Sequence, residues 1–155
     1  MTAAEVEIKV ADPQSPDIRA LIRELDDLME SLYPAESNHL LNLDALRAPE
    51  VQFFAAYLDG TAVGCGAVKR FADYVEVKRV FVASRARGLG VALKIMKTLE
   101  AATRAAGLTV MRLETGIYQP EALALFESFG FERRESFGDY PQEDSNSVFM
   151  ERTLS

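Results

Sequence analysis

The stretch Val80-Phe81-Val82-Ala83-Ser84-Arg85-Ala86-Arg87-Gly88-Leu89-Gly90-Val91 carries the strongest chemical signal in the chain. It reads as a strand, a glycine-containing turn and a helix start. The first N–H groups of a helix have no partner within it, and the helix dipole favours negative charge there, so such a turn can hold an anion. Glycines let the backbone come close to a phosphate, and Arg85 and Arg87 add positive charge. The spacing lacks the third glycine of a dinucleotide fold and the Gly-Lys-Ser/Thr of a Walker loop. Elsewhere the chain has one cysteine, Cys65, and one histidine, His39. That pair cannot make a His/Cys zinc site, no metal centre is expected, and a lone cysteine has no internal disulfide partner.

The elements around the turn follow from hydrophobic spacing. Residues 5–10 alternate as a half-buried strand. Ser15-Pro16 reads as an N-cap with proline at the first helical position. Ile18, Leu21, Ile22, Leu25, Leu28, Met29 and Leu32 then recur at helical spacing. Tyr33-Pro34 stops that helix, and a shorter one is expected within 37–47. Strands follow at 51–58, 62–69 and 74–82, the first two joined by the turn signal Asp59-Gly60. Gly64 and Gly66 mark places of close approach. A long helix runs to about Ala106 on a stripe of Ala92, Ile95, Met96, Leu99 and Ala106, with Gly107 closing it. A strand at 109–114, a helix opened by Pro120 and closed by Gly130, and a strand at 147–153 complete the order, with one more strand expected near Phe131.

Arg85-x-x-Gly88-x-Gly90 after Val80-Phe81-Val82 resembles the acetyl-CoA pyrophosphate loop of the GNAT superfamily of N-acetyltransferases. The segment from Leu113 through Gln119-Pro120 to Phe126-Glu127-Ser128-Phe129-Gly130-Phe131 is similar to the strand–helix unit that closes that family's cofactor cleft. The resemblance implies a mixed α/β (α+β) fold, mainly antiparallel, with a splayed parallel strand pair holding acetyl-CoA and helices on both faces, over one domain spanning 1–155. It implies that Val80 and Val82, with Phe81 between them, pair with the pantetheine arm, that the Val80 amide holds the thioester carbonyl, and that the amides from Arg87 through Gly88, Leu89 and Gly90 to Val91 take the pyrophosphate, with Arg85 alongside. It also implies direct transfer, so no nucleophilic cysteine is needed.

In the same family a glutamate often stands where Glu76 does, to deprotonate the acceptor. In a regular strand Glu76 lies opposite Val77, Arg79 and Phe81. The alternative is an exposed carboxylate paired with Lys78 or Lys69. Two positions depart from the family pattern. Phe126 replaces a tyrosine that protonates the leaving thiolate in many relatives, leaving Tyr118 or Tyr140 as candidate donors or an unprotonated thiolate. Gln119 stands where asparagine is common and keeps the same amide chemistry toward the cofactor.

The segment Tyr33-Pro34-Ala35-Glu36-Ser37-Asn38-His39 is similar to one in a bacterial subgroup of the family and falls where relatives build the acceptor wall. Tyr33, Glu36, Ser37, Asn38, His39 and, on the far side, Tyr140 are therefore the candidate acceptor residues. Ser37 and Asn38 also suit a helix cap, and His39 a structural role. The resemblance implies an N-acetyltransferase acting on a primary amine, most simply of a small molecule. An acyl-CoA-binding module without turnover and a protein lysine or N-terminal acetyltransferase are the competing readings.

Composition agrees with a globular enzyme. Of 155 residues, 48% are apolar and 26% charged, enough for one sizeable core. No stretch approaches the roughly 20 apolar residues of a membrane span. Residues 1–5 lack the basic start and apolar core of a signal peptide, so a cytoplasmic location is expected. A formal charge of −7 argues against a nucleic-acid surface. A second copy of the chain is a candidate partner.

Overall fold

Along the strand Val51–Leu58 the side chains alternate between two cores. Phe53 and Ala55 pack with Ile18, Leu21 and Ile22, whereas Phe54 and Ala56 pack with Ile95, Met96 and Leu99. Successive residues of a strand face opposite sides of its sheet, so a helical layer covers each face. The computed structural model describes residues 5–32, 43–138, 140 and 146–155. Its elements are β1 (Val6–Val10), α1 (Pro16–Leu32), α2 (Leu43–Leu46), β2 (Val51–Leu58), β3 (Thr61–Arg70), β4 (Val75–Val82), α3 (Val91–Ala105), β5 (Val110–Gly116), α4 (Pro120–Ser128), β6 (Glu132–Arg134) and β7 (Ser147–Thr153). The seven strands form one sheet in the order β1-β2-β3-β4-β5-β7-β6. Only β4 and β5 run parallel; every other neighbouring pair is antiparallel.

Local chemistry explains the element ends. Asp59 and Gly60 both have positive φ, 50° and 80°, the requirement of a tight hairpin turn between right-twisted strands. Ser15 occupies the cap position of α1, since its carbonyl accepts the Arg19 N–H at 2.8 Å. Its hydroxyl, however, donates to the Asp12 carbonyl, and Asp17 Oδ1 takes the Ile18 N–H instead. Gly107, at φ +79°, follows α3, and the Leu108 N–H reaches back to the Thr103 carbonyl at 3.1 Å, as in a Schellman closure. The buried stripe of α3 is Val91, Ile95, Met96, Leu99 and Thr103. Ala106 lies beyond the packed turn and is exposed, which corrects the expected stripe. Of the shorter helix expected within 37–47, the described part is α2.

Candidate functional site

The sheet comes apart along β4. Val75, Glu76 and Val77 pair with Met111, Arg112 and Leu113 of β5, and the parallel ladder ends there. Beyond it β4 runs on to Val82, while β5 runs on to Gly116 against β7. On its other edge β4 bulges. Cys65 faces Phe81 and Ala67 faces Lys78, so the single residue Gly66 stands opposite two, Arg79 and Val80. Arg79 takes a left-handed φ of +57° to make room, and the Cys65 thiol donates to its carbonyl at 3.1 Å. The Val80 backbone is thus outside the ladder on both sides.

The bulge also resets which residues share a face. Val75 and Val77 before it, and Val80 and Val82 after it, all pack on the α3 core, while Phe81 packs with α1. Glu76 and Phe81 therefore lie on the same side, and the Arg79 side chain reaches Asp26 of α1. The expectation that Glu76 would oppose Arg79 and Phe81 fails because it assumed a regular strand. The slip was written in the sequence: valines spaced by two (75, 77; 80, 82) are separated by three across Val77 and Val80. Gly64 and Gly66 serve this packing rather than a ligand. A Cβ on Gly66 would sit 2.7 Å from Ile95 Cγ2, and one on Gly64 would sit 3.0 Å from the Phe81 carbonyl.

Where the strands part, a cleft of about 570 Å³ opens between β4, the following loop and α4, with Leu28 and Leu32 of α1 at its side. Val80, Phe81, Val82, Arg87, Gly88, Gly90, Val91, Gln119 and Phe126 line it. A 3-10 turn at Ser84–Ala86 leads in, and the Arg87 N–H closes on the Ser84 carbonyl at 3.3 Å. The Arg87 amide is thereby engaged within the turn. Gly88 and Gly90 have φ of +82° and +78° with open space where a Cβ would point. Gly90 caps α3 without a side-chain bond, and no acidic residue stands in the first turn. These features suit a pyrophosphate, whose charge would meet the helix dipole.

Other residues of the loop behave differently. Arg87 spans the cleft mouth to Glu121 of α4 at 3.1 Å. Arg85 does not line the cleft: it pairs with Glu24 at 3.0 Å and donates to the Ala62 carbonyl at 3.2 Å. Leu89 is exposed outside the lining. Gln119 accepts the Gly116 N–H through Oε1 at 3.3 Å, bracing the turn into α4. Phe126 is buried, edge-on to Phe131 with centroids 5.9 Å apart, and Tyr118 stands exposed at the rim.

The carboxylate candidate is enclosed. Glu76 is only 4% exposed, so it is not the surface carboxylate that one alternative expected. Tyr140 Oη donates to Glu76 Oε2, and Lys78 Nζ lies 2.8 Å from the same oxygen while donating to Tyr140 Oη. The Tyr140 ring is fixed edge-on by Phe137 and Phe149 at 5.4 and 5.5 Å. Burial above all, and then the charge of Glu76 and the bond to it, hold the Tyr140 phenol well above its ordinary pKa. Glu114, on β5 just past the last paired residue, takes a bond from Ser147 Oγ at 2.7 Å and also acts on Tyr140. The pairing of Glu76 with Lys78 that the sequence offered as an alternative is present, at a buried rather than an exposed carboxylate; sequence reasoning missed Glu114. Tyr33, Glu36, Ser37, Asn38 and His39 lie outside the described residues.

Among the described residues no group of three or more His, Cys, Asp or Glu could hold a metal ion, and no helix is long and apolar enough to cross a membrane. The model of the acetyltransferase (GNAT) family matches residues 18–131. An IAA acetyltransferase of Azospirillum brasilense is 44% identical over 151 residues, covering 96% of this chain and 98% of that protein. Among solved structures, a protein of Klebsiella pneumoniae superposes with a TM-score of 0.84 at 34% identity, covering 97% of this chain and 98% of that one. PaiA N-acetyltransferase from Thermoplasma acidophilum, solved with coenzyme A, shares the fold with a TM-score of 0.73 at 15% identity, covering 97% and 99%.

Proposed function

The chain belongs to the GNAT acetyltransferase family and is an acyltransferase, and from that premise we propose that it moves an acetyl group from acetyl-CoA directly to the primary amine of a small molecule. The observation that carries this reading is the parting of β4 from β5 after Val77 and Leu113, with Val80 outside the ladder on both edges. The Val80 N–H binds the thioester carbonyl and strengthens as negative charge develops on that oxygen, the differential stabilisation that lowers a barrier. The amides from Gly88 to Val91 bind the pyrophosphate. Arg87 leaves Glu121 to meet it.

Val80, Val82 and Phe126 give the cleft an apolar wall, against which the arm aligns. Positioning of this kind supplies a large share of the acceleration for a two-substrate transfer. Glu76 is the ultimate acceptor of the amine's proton. Phe126 cannot donate a proton, so the thiolate leaves as such or is protonated by solvent or by Tyr118, which lines the cleft. The whole chain, 1–155, acts as one domain.

The test is acetyl-CoA-dependent release of free CoA with a panel of primary amines and IAA, the compound in the name of the Azospirillum brasilense relative. Release with an amine supports the reading. Release with IAA alone keeps acyl transfer and overturns the amine assignment.

A further inference from the structure

The order of exposure at the carboxylate is what matters for the proton's route. Glu76 is buried, whereas Tyr140 is half-buried and lies over the Glu76 oxygen that it bonds. Neither group lines the cofactor cleft, and the phenol, bonded to the carboxylate, is the more exposed of the two. We propose that Tyr140 carries the acceptor's proton to Glu76, with Lys78 positioning the phenol oxygen between them. The proposal rests on the acetyltransferase reading above.

The geometry suits a relay. A phenol can donate one hydrogen bond and accept others at the same oxygen. Tyr140 Oη already donates to Glu76 Oε2 and accepts from Lys78 Nζ. Lys78 also stands 5.0 Å over the Tyr140 ring and 2.8 Å from Glu76 Oε2, so a single ammonium steadies both the phenol and the carboxylate. The phenol is kept protonated at rest, chiefly by burial and next by Glu76; it is loaded with the proton it must pass on. Among the described residues, the charged and titratable groups that act on it include Glu76 and Lys78 from β4, Glu114 from β5 and Tyr74 from the segment before β4.

The step balances without a further reactant. The substrate ammonium gives one proton to Tyr140 Oη as the phenolic proton moves to Glu76 Oε2, leaving a neutral amine and a neutral Glu76. The amine nitrogen bonds to the thioester carbon, and the C–S bond breaks with its electron pair going to sulfur. The second N–H proton goes to the thiolate, directly or through solvent. Glu76 then returns its proton through Tyr140 to water.

The experiment is a double-mutant cycle of Tyr140→Phe and Glu76→Gln, assayed by CoA release from acetyl-CoA with the same panel of primary amines. Binding of acetyl-CoA is followed separately by thermal shift. If both residues serve one path, each variant lowers kcat by roughly 10²–10⁴-fold, and the double variant is little worse than either single. Acetyl-CoA binding and the cofactor KM stay near wild type. Lys78→Met lowers kcat less and shifts the pH profile, whereas Lys78→Arg restores part of it. A Tyr140→Phe enzyme within about threefold of wild type, or losses that multiply in the double variant, overturn the relay while leaving acetyl transfer intact. Wild-type protein that binds acetyl-CoA and turns over no amine overturns both.

Discussion

Gly66→Ala tests whether the bulge and the seat of α3 are one device. The added Cβ meets Ile95 Cγ2 at 2.7 Å, Leu99 Cδ1 at 3.3 Å and Val80 Cγ2 at 3.4 Å. The first distance is shorter than real Cβ contacts allow, and its partner is a completely buried side chain in the centre of the larger core. Either α3 lifts from β3 or Ile95 leaves its rotamer; overpacking of this size costs about 1–3 kcal/mol. For a chain of this length that lowers Tm by roughly 2–12 °C. Ile95→Leu removes the offending Cγ2 at nearly constant volume and alone costs under about 1.5 kcal/mol. In the Gly66→Ala background it should recover part of the loss, with a coupling on the order of 0.5–3 kcal/mol. Urea or thermal melts of the four proteins measure this. A Gly66→Ala protein as stable as its parent, or an Ile95→Leu cost equal in both backgrounds, refutes the packing account.

Gly88→Trp should abolish the rise in Tm on adding acetyl-CoA while the fold survives, because φ of +82° costs about 1–2 kcal/mol for a non-glycine and nothing lies within 4 Å of the new Cβ. Phe126→Leu should act on KM for acetyl-CoA rather than kcat, and Phe126→Tyr should be tolerated; a collapse of kcat alone in Phe126→Leu refutes its role as an apolar wall. Burial holds the Cys65 thiol up at about 12 from an ordinary 9.0. That raised value favours the folded state below pH 9 and the benefit fades as pH climbs through the folded value, so Cys65→Ala should flatten the alkaline loss of stability between pH 9 and about 12. A thiol reagent at pH 8 should label wild type only as it unfolds.

Much of the fold was legible because it depends on local pattern. Helical spacing from Ile18 to Leu32 answers to one burial face, the apolar run at 51–58 answers to a strand buried on both, and Asp59-Gly60 and Gly107 answer to backbone conformations that few residues adopt. The glycine turn into α3 was legible for the same reason, since Gly88 and Gly90 both take positive φ. The division of labour between Arg85 and Arg87 was not. Two residues apart on a turn, they diverge only because Glu24 and the Ala62 carbonyl are brought to one side and Glu121 to the other. The Glu76–Tyr140–Lys78 cluster was hidden for a related reason: Tyr140 lies 64 residues from Glu76 and is delivered by packing against Phe137 and Phe149. The bulge was visible in the slipped valine spacing, but its meaning depends on β5 parting at the same point.

The most direct measurement is the change in backbone amide chemical shifts of this 17.2 kDa protein as acetyl-CoA is added. The account predicts that the largest changes fall on Val80 and on Gly88 to Val91, with smaller ones at Val82 and Phe126. Saturable binding that leaves the Val80 and Gly88–Val91 amides unmoved, with the changes centred on another surface, would contradict it.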